Sequence, residues 1–252
     1  MTIRYGLEEK VALVTGGSRG IGLAMAGELL AQGGRVVICG RKTEGLDAAA
    51  ETLGGGEKLL AVPAHVGHAD QVEALFEAIV GRFGRLDLLI NNVGMNLITG
   101  VVDADPGLWQ KIIDTNLTGS FLCARRAAQL MREQKGGKIV SISSIAARRA
   151  APVMGIYGVA KAGVEMLTRV LAQELAPFNI QVNAVAPCMV KTGFSQPFWG
   201  NEELLGEITR SIPLGRIAEP EDVVHPTLFL CSRGADFITG QTLMVDGGAS
   251  AV

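Results

Sequence analysis

Seven short runs rich in β-branched residues recur along the 252 residues of this chain, and stretches of helical length and period separate them. The runs cover residues 11–14, 35–39, 58–62, 86–90, 138–143, 180–185 and 242–245. Residues 20–32, 71–83, 107–134 and 155–176 read as helices between them. Few folds accept such an alternation. Strands joined by helical crossovers pair in parallel, cross over right-handed and are covered on both faces. No Pro/Ser-rich linker and no repeat interrupts the pattern. The expectation is one α/β domain over 1–252, a doubly wound parallel sheet of about seven strands with helices on both faces.

The first strand–helix pair carries a chemical signal. Between residues 11–14 and 20–32 lies Thr15-Gly16-Gly17-Ser18-Arg19-Gly20-Ile21-Gly22. Glycines there let the backbone turn tightly and approach a pyrophosphate, which then faces helix N–H groups and the positive end of the macrodipole. This makes the expected sheet Rossmann-type, with Gly16, Ser18, Arg19, Gly20, Ile21 and Gly22 as cofactor contacts. An NAD site wants an acid about 20 residues further on, at the end of the second strand, to accept from the ribose 2′-hydroxyl. That place reads Ile38-Cys39-Gly40-Arg41-Lys42. An acid there would repel a 2′-phosphate, whereas Arg41 can bind one through charge-assisted hydrogen bonds, and Arg19 can add a second charge. NADP(H) is therefore favoured over NAD(H).

Tyr157 and Lys161, four residues apart, share one helix face. An ammonium about 4 Å from a phenolate gains on the order of 4 kcal/mol at an effective dielectric near 20. That corresponds to roughly three pKa units, enough to bring a phenol from about 10 toward neutrality. Tyr157 is thus the candidate general acid and base. Ser144, at the C-terminal end of its strand, can hydrogen-bond a carbonyl oxygen.

Composition narrows the remaining options. Apolar residues make up 48% of the chain, so a core is available without metal or disulfide staples. The net charge of -2 and scattered basic residues leave no footprint for nucleic acid or an anionic membrane. No apolar run reaches the roughly 18 residues of a membrane helix. Acids stand where a signal peptide would have its apolar stretch, so a cytoplasmic location is expected. Cys39, Cys123 and Cys231 read as buried small hydrophobes, and the cysteines and histidines show no metal-ligand spacing.

Taken together these motifs resemble the short-chain dehydrogenase/reductase family over essentially the whole length. The resemblance rests on Thr15-Gly-x-x-x-Gly-x-Gly22, Asn91-Asn-Val-Gly94, Asp114-Thr-Asn116, Ser144, Tyr157-x-x-x-Lys161, Asn183-Ala-Val-Ala-Pro187 and the segment from Ile238 to Gly248. It implies a catalytic tetrad of Asn116, Ser144, Tyr157 and Lys161. Lys161 would also hold the nicotinamide ribose, and Asn116 would position a water-linked proton relay. Asn92, Gly94 and Pro187 would border the cofactor, and Val190 and Thr192 would contact the carboxamide. His65-Val66 stands where the family usually has Asp-Val, so His65 would have to accept from the adenine amino group in the acid's place. Cys188 replaces the glycine usual after Pro187. Members are usually tetramers or dimers, in agreement with the helix at 155–176, which is apolar nearly all round and needs cover on more than one side.

Segment 191–215 breaks the strand–helix rhythm and carries Phe194, Phe198 and Trp199, as expected of a substrate lid. Arg148 and Arg149 follow Ser144 and are candidate ligands for a substrate anion. The implied function is an NADP(H)-dependent oxidoreductase acting on a ketone or secondary alcohol, similar to 3-oxoacyl-(acyl carrier protein) reductases, gluconate 5-dehydrogenase-like enzymes and carbonyl reductases. An NAD-dependent alcohol or hydroxyacyl dehydrogenase is the alternative among enzymes. A dinucleotide-sensing regulator or scaffold subunit is the alternative from another class.

Overall fold

All seven expected strands form: β1 (Val11–Thr15), β2 (Arg35–Gly40), β3 (Leu59–Pro63), β4 (Leu88–Asn91), β5 (Gly137–Ile142), β6 (Ile180–Pro187) and β7 (Thr242–Val245). The computed structural model describes residues 3–251. Every strand pairing is parallel, and the sheet order is β3-β2-β1-β4-β5-β6-β7. The inner strands are buried on both faces, which is why β1 and β4 read as nearly continuous apolar runs instead of alternating. In β1, Ala12 and Val14 point into one core with Met25 and Leu29, while Val11 and Leu13 point into the other with Leu75, Phe76 and Ile79. Cys39, Cys123 and Cys231 are buried in these cores as expected.

The helices match the expected pattern in part. Helices α1 (Gly20–Ala31), α3 (Ala69–Phe83) and α6 (Gly155–Leu175) lie where the periodicity put them. Two more, α2 (Thr43–Leu53) and α9 (Pro220–Cys231), lie outside the sequence reading. The second carries Pro226 in its interior, which masks its period, but it begins with Pro220 in the first turn and a Glu219/Asp222 capping box.

The stretch 107–134 is not one helix. It divides into α4 (Pro106–Ile113), a π-helical turn at Asp114–Thr118 and α5 (Gly119–Gln134). Asp, Thr and Asn are poor helix formers, and a π turn rotates the side chains that follow it. Segment 191–215 leaves the sheet between β6 and α9 and holds two short helices, α7 (Gln196–Trp199) and α8 (Glu202–Arg210). A bridge between Val190 and Ala218 pins its base.

Because β1 lies between β2 and β4, the chain leaves the C-terminal ends of β1 and β4 in opposite directions. A crevice opens at that switch point, where ligands of doubly wound sheets bind.

Candidate active site

The crevice is a cleft of about 660 Å³. One end is built by the glycine-rich turn. Gly16 sits at φ +67, and a Cβ there would crowd Asn92 and Val93 at 3.2 Å. A Cβ on Gly22 would lie 2.3 Å from the Gly16 carbonyl oxygen, so only glycine lets α1 pack this close to the turn. Asn92 ties the turn to β4, its Nδ2 donating to the Thr15 carbonyl at 3.0 Å. The first turn of α1 has no side-chain cap and no acidic residue. Its N–H groups are thus left for an anion in the cleft. These features fit a dinucleotide phosphate.

Gly16, Ser18, Arg19, Gly20 and Ile21 line the cleft, as do Arg41, His65, Val66, Asn92 and Gly94. Pro187, Val190 and Thr192 line it from the β6 side. Gly22 does not line it but packs behind the turn. Arg19 and Arg41 are exposed at the rim.

His65 departs from expectation. Its Nδ1 accepts from the Gly67 N–H at 3.1 Å, and burial, with His68 and Arg41 nearby, lowers its pKa. A neutral imidazole whose Nδ1 accepts carries its proton on Nε2. The free nitrogen is therefore a donor, and His65 cannot accept from an adenine amino group as the missing aspartate would.

Further along the cleft, Ser144, Tyr157 and Lys161 converge. Ser144 caps a short 3₁₀ turn after β5, its hydroxyl accepting from the Ala146 N–H at 3.2 Å. Tyr157 and Lys161 lie on the buried side of α6, 8% and 2% exposed. The Lys161 ammonium donates to the Ile142 carbonyl at 2.7 Å and lies 5.6 Å from the centroid of the Tyr157 ring. Asn116 is fully buried in the π turn and does not line the cleft. Its amide donates to the Met95 and Ile112 carbonyls at 2.8 and 2.9 Å and accepts from the Met95 N–H at 3.2 Å. It clamps the loop after β4 against α4.

The expected acidification of Tyr157 is absent. Burial pushes its phenol up to about 12, opposed only by a hydrogen bond with Ser144. Burial also pulls Lys161 down to about 8. Spacing along a helix face took the Coulombic gain at a surface dielectric, but in the cleft wall desolvation outweighs it.

The substrate candidates divide. Phe194 and Phe198 line the cleft, and the Phe194 ring lies 6.2 Å from that of Tyr157. Trp199 does not reach it. Its indole N–H donates to the Thr192 carbonyl at 3.0 Å and its ring faces Lys191, so it braces the base of the excursion. Arg149 lines the cleft, whereas Arg148 turns away and binds Glu165 of α6 at 2.8 Å. The anion ligand expected at Arg148 is thus an internal carboxylate. Met95, Met154 and Pro152 also line the cleft and were not singled out in the sequence. They lie in loops without period, where only their closeness to Ser144 and Gly94 could have drawn attention. Cys188 lines the cleft half-buried, and burial with the Asp246 charge raises its thiol pKa, the opposite of an activated nucleophile.

A family model described as enoyl-(acyl carrier protein) reductase matches residues 16–250. A 3-oxoacyl-[acyl-carrier-protein] reductase of Synechocystis is 42% identical over 246 residues, 96% of this chain and 97% of that protein. Dehydrogenase/reductase SDR family member 4 of Sus scrofa is 38% identical over 250 residues, 98% of this chain and 90% of the other. Among solved structures, a short-chain type dehydrogenase/reductase from Mycobacterium marinum superposes with a TM-score of 0.93 at 32% identity, covering 98% of both chains.

Proposed function

The chain belongs to the short-chain dehydrogenase/reductase family, and from that premise we propose that it is an NADP(H)-dependent carbonyl reductase, with Tyr157 as the proton donor. The family is one of nicotinamide-dependent oxidoreductases acting on CH–OH groups. The observation that carries the finer reading is the meeting of Ser144, Tyr157 and Lys161 in one cleft whose other end is a glycine-built anion cradle.

When bound, the nicotinamide supplies or takes the hydride. The chain's own residues supply the rest. The Ser144 hydroxyl orients a carbonyl oxygen toward the phenol of Tyr157. A phenol at about 12 is fully protonated at neutral pH and stands ready to donate. Lys161 carries its charge below about pH 8 and stabilises the phenolate left after donation. Asn116 holds the loop that closes the site. Arg41 and Arg19, with no acid beside them in the cleft, support a 2′-phosphate on the dinucleotide. Segment 191–215, through Phe194 and Phe198, covers the substrate.

The exposed Val159, Met166 and Val170 on α6 support a homotetramer or homodimer in which a second copy covers that face. No helix of the described residues is long and apolar enough to cross a membrane. A small-molecule ketone or secondary alcohol, a 3-oxoacyl thioester among the candidates, is the substrate class. The test is the purified protein with NADPH and NADH in turn against a panel of ketones and oxoacyl thioesters. Reduction with NADPH preferred supports the reading. Equal use of both coenzymes removes the NADP assignment, and no turnover of any carbonyl compound removes the whole.

A further inference from the structure

The cleft is lined by three arginines and one lysine and by no carboxylate. Arg19, Arg41, Lys161 and Arg149 border it, and none of its lining residues is Asp or Glu. This happens in a chain where Asp and Glu outnumber Lys and Arg, 25 to 23. Three of the four have tasks in the reading above, Arg19 and Arg41 toward the dinucleotide phosphates and Lys161 beside the phenol. Arg149 has none.

Its setting points to an outside partner. Arg149 stands five residues beyond Ser144 and lines the same cleft as Ser144 and Tyr157. One of its five N–H groups donates to the Ala249 carbonyl at a long 3.4 Å. No Asp or Glu side chain among the described residues pairs with it, whereas Arg148 beside it is neutralised by Glu165 at 2.8 Å. The same cleft also carries the apolar side chains of Met95, Met154, Pro152, Phe194 and Phe198. A planar fork of donors, with no carboxylate of its own, in a trough that also has apolar walls matches a planar carboxylate, which it grips with two parallel hydrogen bonds. Because Arg149 is exposed, the bound anion keeps part of its hydration, and the cost of desolvating it stays small.

We propose that Arg149 binds a carboxylate at the far end of the substrate, so that the preferred carbonyl compound is an oxo acid with an apolar middle. This rests on the carbonyl-reductase reading, and the experiment separates the two. Linear oxo acids of increasing length are assayed beside their methyl esters and simple ketones, with wild type, Arg149→Gln and Arg149→Lys. In wild type, kcat/KM for the acid exceeds that for its ester by about tenfold at the length that spans the trough. In Arg149→Gln that ratio collapses toward one, through KM more than kcat, and Arg149→Lys keeps part of it as a point charge without the fork. The wild-type ratio also falls with added salt, because an exposed pair is screened. A wild-type ratio near one at every length, or the same ratio in wild type and Arg149→Gln, overturns the assignment while leaving reduction of neutral ketones standing. Failure to reduce any acid, ester or ketone with either coenzyme overturns both.

Discussion

Arg148→Met isolates the pair that took Arg148 out of the cleft. The Glu165 side chain is 4% exposed, held by Arg148 Nε at 2.8 Å and by the Ser143 hydroxyl at 3.3 Å. After the substitution the carboxylate keeps only the hydroxyl. Stranding one member of a fully buried pair costs about 3–5 kcal/mol. The Arg148 side chain is 46% exposed, so water screens one side, and about 2 kcal/mol is the fitting figure. For a chain of this length that lowers Tm by about 4–8 °C.

Adding Glu165→Leu removes the stranded charge and recovers more than half of that loss at neutral pH. Differential scanning calorimetry of wild type, Arg148→Met, Glu165→Leu and the double variant measures this. A variant that melts within about 1 °C of wild type, with a raised KM for anionic ketones, would refute the argument and return Arg148 to the substrate.

The other predictions are shorter. Tyr157→Phe lowers kcat by about 10³-fold while coenzyme still quenches protein fluorescence at near-normal concentration; comparable turnover would reject the donor role. Arg41→Ala raises the Kd for NADPH by about 10–100-fold and that for NADH by far less, as titration calorimetry reports; equal losses dismiss the 2′-phosphate contact. Lys161, lowered to about 8, loses its charge as pH rises through that value, so kcat/KM for ketone reduction falls on the alkaline side with a midpoint near 8. A flat profile to about pH 9.5 would show that the ammonium is not needed in that form.

Local order was legible in the sequence and three-dimensional choices were not. The strand runs were legible because they are rich in β-branched and apolar residues, and 242–245 matched β7 at both ends. The glycine turn was readable because its glycines and the strand and helix on either side all fall within one short stretch of sequence. Asn116 could be named by its motif, but the π turn that aims it at Met95 could not, since Asp114-Thr-Asn116 only weakens a helical pattern without breaking it. Arg148 and Arg149 are chemically identical neighbours, and which of them faces the cleft depends on Glu165 arriving from α6. Trp199 looked like a lid aromatic until the Thr192 carbonyl claimed its N–H. The His65 tautomer hangs on one backbone N–H two residues away.

The largest gap between sequence and structure concerns proton affinity, and it bears on direction. Helix spacing made Tyr157 acidic; burial makes it a phenol of about 12 beside a lysine of about 8. For a general acid this is no obstacle, because an alkoxide forming at the substrate oxygen is more basic still and takes the proton downhill. For a general base it is a burden, since at pH 7 only about one phenol in 10⁵ is ionised in a site of this kind. As it stands, the pair is poised to give a proton at neutral pH and to take one only in alkali. The asymmetry eases only if the charge of an oxidised coenzyme, brought close to the phenol, lowers its pKa. In the reading proposed above, the proton-donating form of Tyr157 is thus the one already in place near pH 7. Alcohol oxidation should gain as the pH is raised and then level off as Lys161 loses its charge near 8.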